Sequence, residues 1–284
     1  MPLSLMCVHA HPDDESIATG GVLVRAAEEG LRTAVVTATG GELGEILGPG
    51  MDPEEVRPRL AEVRRAELES ALGILGAGEP RFLGYRDSGM LGTEGNDDPA
   101  SFWRAPFDEA VGRLVAEIRA FRPDVLVTYD AIGGYGHPDH VQTHRVALVA
   151  AEACAVGPLY PDAGDPWQVA KLYLSTIARS FVVLANTELP RLGFPSPFGE
   201  DTDPDALGIG TPDEQVTTTV DVRPWLERKW SAVCAHTSQI GPDSFFLNIP
   251  AELHEAAFGR EWFIRQRSAV DTPAVEEDLF AGLR

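Results

Sequence analysis

Short apolar segments alternate with helical patterns along the first half of the chain, and this alternation restricts the possible folds. Four segments have the length and composition of buried strands: Leu3–Val8, Thr33–Thr37, Arg81–Tyr85 and Val125–Tyr129. Apolar residues recur at helical spacing in the ranges between them: Gly20–Glu29, Glu54–Leu75 and Phe107–Phe121. Consecutive β-α-β units build a parallel sheet with helices on both faces. We therefore predict an α/β fold with a mostly parallel sheet.

Potential metal ligands follow two of these predicted strands. The run His11-Pro12-Asp13-Asp14-Glu15 comes after the first strand, and Gly133–His140, which ends in His-Pro-Asp-His, comes after the fourth. Ligands of such sheets bind beyond the carboxyl ends of the strands, at the point where the strand order reverses. Imidazoles and carboxylates from two strand ends can together form one divalent-metal site. The sequence therefore predicts a metal-dependent hydrolase.

The residue types in the two motifs suggest separate roles. A catalytic zinc site typically has three protein ligands and a fourth position for water, and the candidate ligands are His11, Asp14 and His140. Asp13 can stay off the metal and take a proton from the activated water as general base. His137 could donate a hydrogen bond to the oxyanion or protonate the leaving amine.

Two more side chains of the second motif are candidates for the reaction. Asp139 could hold the imidazole of His137 in orientation, as outer carboxylates do around metal sites. The phenol of Tyr135 could also reach the oxyanion. We expect both to act near the metal.

Other interpretations of the same histidines and carboxylates stay open. His144 stands four residues after His140 and could replace His11 as a ligand. Asp13 could instead cap the following helix, and His9 is expected to be structural. Two imidazoles and one carboxylate also match the facial triad of Fe(II) oxygenases. A Mg²⁺-dependent phosphotransferase would use the adjacent carboxylates but would not need the imidazoles.

Charge and cysteine content narrow the class of protein. The formal net charge of −21 argues against nucleic-acid and anionic-membrane partners, since both need a positive face. The three cysteines form no CxxC pair, which is typical of reduced thiols. The N-terminus lacks a basic region, and no apolar run approaches the roughly 18 residues of a membrane helix. We expect a cytoplasmic protein.

At the two metal motifs, the sequence resembles the zinc-dependent N-acetylglucosaminyl deacetylase family, with similarity to a deacetylase and an S-conjugate amidase of mycothiol metabolism. Both family signatures, His-Pro-Asp-Asp-Glu and His-Pro-Asp-His, are intact. Further supporting segments are spread over nearly the whole chain: residues 9–16, 63–68, 86–90, 133–140, 235–239 and 278–283. The resemblance implies a Rossmann-like fold and a small-molecule amino-sugar substrate.

The resemblance also implies roles for individual residues. Zinc would bind to His11, Asp14 and His140, although Fe²⁺ accepts the same ligands. Asp13 would be the general base, with His137 as the oxyanion or acid partner and Tyr135 nearby. Arg64 and Asp87 match positions that contact sugar or inositol hydroxyls.

The second half of the chain is less regular, and its likeness to the family is mixed. Lys171–Thr176 and Val216–Val222 resemble strands, and Arg223–Gln239 resembles a helix. We expect a single domain, with a Rossmann-like metal-binding core at residues 1–160 and an irregular C-terminal cap at residues 161–284 that closes the site.

Two features bear on the substrate. Gly136 follows Tyr135 as in the deacetylase, whereas Ser244–Phe263 and Glu276–Phe280 are nearer to the amidase, and Ile177–Asp213 matches neither. We expect zinc-dependent deacetylation of an N-acetyl-glucosaminyl, inositol-linked substrate. The alternatives are cleavage of a cysteinyl amide, as in the amidase, and a non-catalytic metal- or sugar-binding protein.

Overall fold

The computed structural model describes residues 2–194, 198, 208–242, 244–250 and 253–284. Seven strands in these ranges form one sheet: β1 (Ser4–His9), β2 (Arg32–Thr39), β3 (Arg81–Tyr85), β4 (Val125–Tyr129), β5 (Lys171–Thr176), β6 (Thr218–Asp221) and β7 (Arg260–Ser268). Their order across the sheet is β3-β2-β1-β4-β5-β7-β6. The first five in this order are parallel, and β7 is antiparallel to both of its neighbours. The predicted mostly parallel α/β fold is confirmed.

The strand order reverses next to β1, at the centre of the sheet. From β1 the chain passes to β2 and β3 on one side, and later to β4 and β5 on the other. Residue Leu5 of β1 pairs with Thr33 of β2 and with Val125 of β4. The connections after β1 and β4 therefore diverge and leave a crevice at the carboxyl ends of these two strands. Both predicted metal motifs lie at this crevice.

Helices cover both faces of the sheet. They are α1 (Asp14–Ala18), α2 (Gly20–Glu28), α3 (Pro53–Val56), α4 (Leu60–Leu75), α5 (Phe107–Phe121), α6 (Pro138–Ala153), α7 (Arg179–Arg191), α8 (Leu226–Ala235), α9 (Phe245–Asn248) and α10 (His254–Phe258). Successive side chains of β1 point to opposite faces. Met6 and Val8 belong to one apolar core with α5 and α6, whereas Leu5 and Cys7 belong to a second core with α2, α4 and α8.

The helix predicted at Glu54–Leu75 is interrupted. The short helix α3 is followed by a 3₁₀ turn at Arg57–Arg59, and α4 begins only at Leu60. Pro58 lies in that turn and has no N–H with which to continue an α-helical hydrogen-bond series. Helix α4 then ends at Gly76, whose φ of 75° suits a residue without a Cβ.

The C-terminal part, expected to be irregular, contributes β5, β6 and β7 to the same sheet. We predicted strands close to β5 and β6 but not β7, which pairs with both of them. The sequence of β7 contains Glu261 and three arginines, so it lacks the apolar pattern of a central strand. Helix α7 occupies part of the segment 177–213, and residues 195–197 and 199–207 of that segment lie outside the described residues.

A buried polar cluster ties the C-terminal tail to the sheet. Lys171 Nζ donates to Glu276 Oε1 at 2.6 Å, and Tyr173 Oη donates to Glu276 Oε2 at 2.8 Å. Thr218 Oγ1 donates to the same carboxylate at 2.9 Å. The C-terminal tail thus packs against β5 and β6, two strands from the second half of the chain. In the described part of the chain, no helix combines the length and apolar character needed to cross a membrane.

Candidate metal and catalytic site

The two predicted motifs meet at the crevice beside β1. Ala10, one residue beyond β1, donates its N–H to Tyr129 Oη at the end of β4 at 2.8 Å. Helix α6 begins at Pro138, so His140 lies in its first turn. The backbone thus brings His11 and His140 together from opposite sides of the crevice, although 129 positions separate them in the chain.

Three potential ligand atoms form a compact triangle. His11 Nδ1 lies 3.2 Å from His140 Nε2, and Asp14 Oδ2 lies 3.6 Å from the first atom and 3.4 Å from the second. Ligands bound at 2.0–2.2 Å with tetrahedral angles are about 3.3–3.6 Å apart. The donor set and its spacing therefore fit a tetrahedral divalent metal ion.

The outer hydrogen bonds of the two imidazoles support the same conclusion. His140 Nδ1 lies 3.1 Å from the Gly133 carbonyl, which can only accept, so the proton of the neutral ring is on Nδ1. His11 Nε2 lies 3.2 Å from Asp139 Oδ2, which assigns the proton of that ring to Nε2. When both rings are neutral, the lone pairs of His11 Nδ1 and His140 Nε2 therefore face each other, and either a proton on His11 or a bound cation is needed between them. A bound cation would satisfy both, and such outer partners are usual for metal-ligating histidines.

The electrostatics of the cluster favour a positive charge among these groups. Burial lowers the pKa of His140 to about 3, so this ring is neutral. Burial alone would raise the pKa of Asp14, but His140 and His11 hold it well below the usual range. Burial also opposes protonation of His11, yet hydrogen bonds to three carboxylates raise its pKa well above the usual value. The cluster therefore favours an added positive charge.

Other groups of ligating side chains share these histidines. His11, His137 and His140 each offer a nitrogen within 4.8 Å of the others, and His11 and His137 form a second group with Asp87 and Asp139. The carboxylates of that second group accept backbone N–H bonds from Ser88, Leu43 and Gly89, and Asp14 Oδ2 likewise accepts the His11 N–H at 2.9 Å. Asp14 belongs to neither of these groups, and the distances of 3.2–3.6 Å within its triangle are what favour it as a ligand.

Two alternative interpretations receive no support from the contacts, and one expectation agrees with them. His144 Nδ1 lies 2.8 Å from the Tyr129 carbonyl, so this nitrogen already has a partner in the protein. His9 Nε2 contacts Thr19 Oγ1 at 2.9 Å, consistent with the structural role we expected. Asp13 is at the N-cap position of α1, but its side chain makes no capping hydrogen bond. The carboxylate of Asp13 is thus available for another role.

Asp13 lies beside the triangle in an unusual backbone conformation. Its φ is 112°, a value that residues with a Cβ rarely adopt and that is often found at functional sites. Arg64 donates to Asp13 Oδ2 at 3.1 Å, and the Asp13 N–H donates to Glu15 Oε2 at 3.0 Å. Burial raises the pKa of Asp13 to about 6, although Arg64 opposes the shift. A carboxylate with this pKa is ionised at neutral pH and can accept a proton.

His137 is oriented differently from our expectation. Its Nδ1 accepts the Asp139 backbone N–H at 3.1 Å, so the neutral ring carries its proton on Nε2 and can donate a hydrogen bond from there. Burial and the neighbouring His11 lower its pKa. The carboxylate of Asp139 contacts His11 and Ser88, not His137. The prediction that this carboxylate orients His137 is therefore wrong, and its contact is with a candidate metal ligand.

Tyr135 borders the cluster from the solvent side. The residue is 53% exposed, and its ring centroid lies 5.0 Å from that of His140 and 6.2 Å from that of His137. Partial burial of the side chain and the nearby Asp14 raise the pKa of Tyr135, so the phenol remains protonated. It can therefore serve as a hydrogen-bond donor.

Arg64 and Asp87 were expected to contact sugar hydroxyls, but both lie beneath the site and are only 3% exposed. Arg64 donates to the carbonyls of Pro12 and Gly41 as well as to Asp13. Asp87 accepts the N–H groups of Leu43 and Gly89 at 3.1 and 2.8 Å. Their observed contacts are with the protein itself, and they hold the loops around the site.

Sequence reasoning missed three residues of this site. Tyr129 Oη donates to Asp14 Oδ2 at 2.7 Å, although its position at the end of a strand suggested only core packing. His236 Nε2 lies 2.8 Å from Glu15 Oε1, across 221 positions of sequence. Glu15 belongs to the first motif and His236 to one of the family-like segments, so a search for buried ionisable residues in those segments could have found them.

A pocket of about 240 Å³ opens next to the cluster. Asp14, Tyr135 and His140 form one end of it. Its other walls are mostly apolar side chains, among them Ile17, Ile177, Phe181, Phe258 and Trp262. An organic group next to the metal position would therefore contact mainly hydrocarbon surface.

Comparison with solved structures agrees with this fold. The chain is similar to N,N'-diacetylchitobiose deacetylase from Pyrococcus horikoshii, with a TM-score of 0.65, 20% identity and coverage of 93% of this chain and 83% of that one. It is also similar to the 4-carboxy-2-hydroxymuconate hydratase GalB from Pseudomonas putida, with a TM-score of 0.62, 19% identity and coverage of 95% and 99%. Because these proteins have different activities, the likeness shows the fold alone.

Sequence comparison is more specific. The chain is 44% identical to a 1D-myo-inositol 2-acetamido-2-deoxy-alpha-D-glucopyranoside deacetylase of Geodermatophilus obscurus, over 98% of this chain and 97% of that one. A protein of the same description from Catenulispora acidiphila is 42% identical, over 98% and 89%. Residues 6–151, which contain both metal motifs, match the family described as PIG-L: GlcNAc-PI de-N-acetylase. The chain therefore belongs to the PIG-L family of de-N-acetylases, as its two motifs indicated.

Proposed function

We propose that this protein is a zinc-dependent hydrolase that removes the acetyl group from an N-acetyl-glucosaminyl substrate linked to inositol. The observation that carries the proposal is the triangle of His11, Asp14 and His140. The carboxylate of Asp13 lies beside this triangle and is not part of it. The two relatives described above, 44% and 42% identical, are deacetylases of such an inositol glycoside by name. Full-length similarity at this level supports the same substrate class here.

In this proposal, His11, Asp14 and His140 hold the metal. Two imidazoles and one carboxylate are usual ligands of catalytic zinc and leave a position open for water. A bound zinc ion would polarise the amide carbonyl and lower the pKa of water. The same ligands suit Fe²⁺, so the metal in the cell also depends on availability.

The remaining residues act on protons and on the developing negative charge. Asp13 accepts the proton of the attacking water, and its pKa of about 6 suits a base at neutral pH. His137 donates a hydrogen bond from Nε2 to the oxyanion, since its Nδ1 is occupied by the Asp139 N–H. Tyr135, still protonated, can donate a second hydrogen bond from the open side of the site.

We further propose that residues 161–284 close the site within a single domain. Phe181, Phe258 and Trp262, all from this part of the chain, line the pocket beside Asp14 and His140.

The apolar character of these pocket walls favours a second candidate function, which is cleavage of an amide whose acyl part is larger than acetyl, as in a cysteinyl amide. A large acyl group could bury apolar surface there, whereas an acetyl group is too small to fill about 240 Å³.

The test measures acetate release from N-acetyl-glucosaminyl-inositol and from free N-acetylglucosamine. It compares metal-stripped protein with protein restored with zinc or with Fe²⁺. Metal-dependent acetate release with a preference for the inositol glycoside is the expected result. No acetate from a correctly metallated sample would contradict the deacetylase proposal, and turnover of a cysteinyl amide of the amino sugar would then favour the second candidate. Metal binding without cleavage of either amide would indicate a non-catalytic protein.

A further inference from the structure

A buried ion pair lies directly beneath the proposed general base and has no role in the reaction described above. It joins His236, the residue that follows α8, to Glu15 in α1, with Nε2 and Oε1 2.8 Å apart. Both side chains are 0% exposed. Burial of two ionisable groups is costly unless they are paired, so a specific requirement for the pair is expected.

Glu15 connects this pair to the backbone of Asp13. Its Oε1 faces His236 and also accepts a hydrogen bond from Ser16 Oγ. Its second oxygen, Oε2, accepts the Asp13 N–H at 3.0 Å. The two carboxylate oxygens thus bond in different directions, one toward α8 and the other toward the first metal motif.

The backbone of Asp13 needs such support. Its φ of 112° is unfavourable for a residue with a side chain, and a conformation of this kind persists only where surrounding contacts enforce it. Arg64 restrains the carboxylate of Asp13, whereas Glu15 restrains its N–H. Loss of the N–H restraint would let the backbone relax and would move the carboxylate relative to the metal ligands.

We propose that His236 is a positioning residue for Asp13 and acts through Glu15. The ring makes its polar contacts through Nε2, because Nδ1 has no hydrogen-bond partner among the described residues. The Nε2–H bond holds Oε1, and this keeps Oε2 directed at the Asp13 N–H. The proposal rests on the proposed function, since it assumes that Asp13 is the base of the reaction.

A purely structural pair would have a different effect. Its removal would lower stability without selectively changing the chemical step. A displaced base instead reduces kcat, because a shift of about 1 Å at a reacting group can cost about 100-fold in rate. Substrate affinity and metal content should remain unchanged, since neither His236 nor Glu15 belongs to the candidate ligand triangle.

The experiment compares His236→Ala, His236→Gln and the control Ser238→Ala in the zinc-loaded protein. We expect His236→Ala to lower kcat about 100-fold while KM and zinc content stay at the wild-type values. The glutamine variant should recover most of the rate, because its amide can donate to Glu15. Ser238 lies two residues further on and donates to Glu67 at 2.7 Å, so its substitution should lower Tm but not kcat.

A second variant covers the case in which His236→Ala does not fold. Glu15→Leu removes both acceptor oxygens, so neither the Asp13 N–H nor His236 keeps its partner. It should show the same selective loss of kcat. Wild-type kcat in either variant overturns the proposal. So does a loss of zinc in parallel with activity, or a glutamine variant of His236 as slow as the alanine variant.

A structural readout separates this proposal from the proposed function. If the wild-type protein releases no acetate, the function fails, but the positioning role can still be examined in crystals of His236→Ala, or of Glu15→Leu if the first variant does not fold. We expect the backbone of Asp13 to leave the positive-φ region in the variant. Retention of φ near 112° would overturn the proposal whatever the substrate.

Discussion

Replacing Tyr129 with phenylalanine tests the link between the fold and the proposed metal site. The hydroxyl of this buried residue makes two hydrogen bonds at the end of β4. It donates to Asp14 Oδ2 at 2.7 Å and accepts the Ala10 N–H at 2.8 Å. Burial and the proximity of Asp14 raise the pKa of Tyr129 well above its usual value, so the hydroxyl remains a donor.

Each lost hydrogen bond has a separate consequence. The Ala10 N–H would be buried without an acceptor, which costs about 1–3 kcal/mol in the free energy of unfolding. Asp14 would lose the partner that orients it toward the metal position, and loss of such an outer contact typically lowers metal affinity 10–100-fold. That range corresponds to about 1.4–2.8 kcal/mol in binding free energy.

Two assays measure these effects separately. Denaturant unfolding of the metal-free protein gives the change in stability, and competition with a chelator gives the Kd for zinc. Tyr173→Phe is the matched control, because Tyr173 Oη is also buried and bonds to Glu276 Oε2 at 2.8 Å and to the Leu279 carbonyl at 3.2 Å. The control should lose stability and keep the wild-type zinc Kd, since the Tyr173 hydroxyl bonds to the C-terminal tail and not to a candidate ligand.

Two outcomes of the zinc-binding assay would contradict this prediction. A Tyr129→Phe protein that is less stable but binds zinc as tightly as the wild type would refute the argument that Asp14 is a ligand oriented by Tyr129. Equal zinc affinity losses in Tyr129→Phe and Tyr173→Phe would refute it as well, because the effect would then come from general destabilisation.

Three further predictions follow from the same contacts. Asp13→Asn should retain zinc by elemental analysis but lose about 10²–10⁴-fold in turnover; normal turnover would exclude Asp13 as base. His144→Ala should bind zinc with the wild-type stoichiometry, whereas His11→Ala should lose zinc; the reverse result would show that His144 is the metal ligand in place of His11. Burial opposes ionisation of Glu276, but Lys171 and other donors lower its pKa, so its stabilising contribution is present above pH 4.5 and is lost as the pH falls below it. Glu276→Gln should therefore flatten the decline of Tm on acidification, and an unchanged pH profile would contradict this.

The first half of the fold could be predicted because its signals are local. The bounds of β3, β4, β5 and α5 agree with the predicted ranges, since each is a short apolar run or an amphipathic stretch with a clear end. β7 could not be predicted in the same way. It is stabilised by pairing with β5 and β6. Its own sequence has only three apolar residues, Trp262–Ile264, between polar and charged ones such as Glu261, which is buried against Lys229 and the start of α2.

The same distinction holds for the candidate site, where the ligand residues could be predicted from sequence but their hydrogen-bond partners could not. His11, Asp14 and His140 could be identified from sequence because metal ligands must be imidazoles or carboxylates, and strand ends in a parallel sheet meet at one edge. The hydrogen-bond partner of each polar group could not be predicted in this way. The carboxylate of Asp139, for example, contacts His11 and not His137, which is only two residues away in the sequence. Arg64 was also expected at the substrate, but its contacts are with the backbone and Asp13.

The sequence by itself determined the class of fold, the place of the site and the chemistry of its ligands, because apolar periodicity and residue type are local properties. Only the tertiary structure decided which donor faces which acceptor, and how Asp13 is held in its positive-φ conformation. Those pairings join residues such as Glu15 and His236 that are 221 positions apart. Their distances depend on how helices pack across the whole sheet, and no spacing within the sequence records that packing.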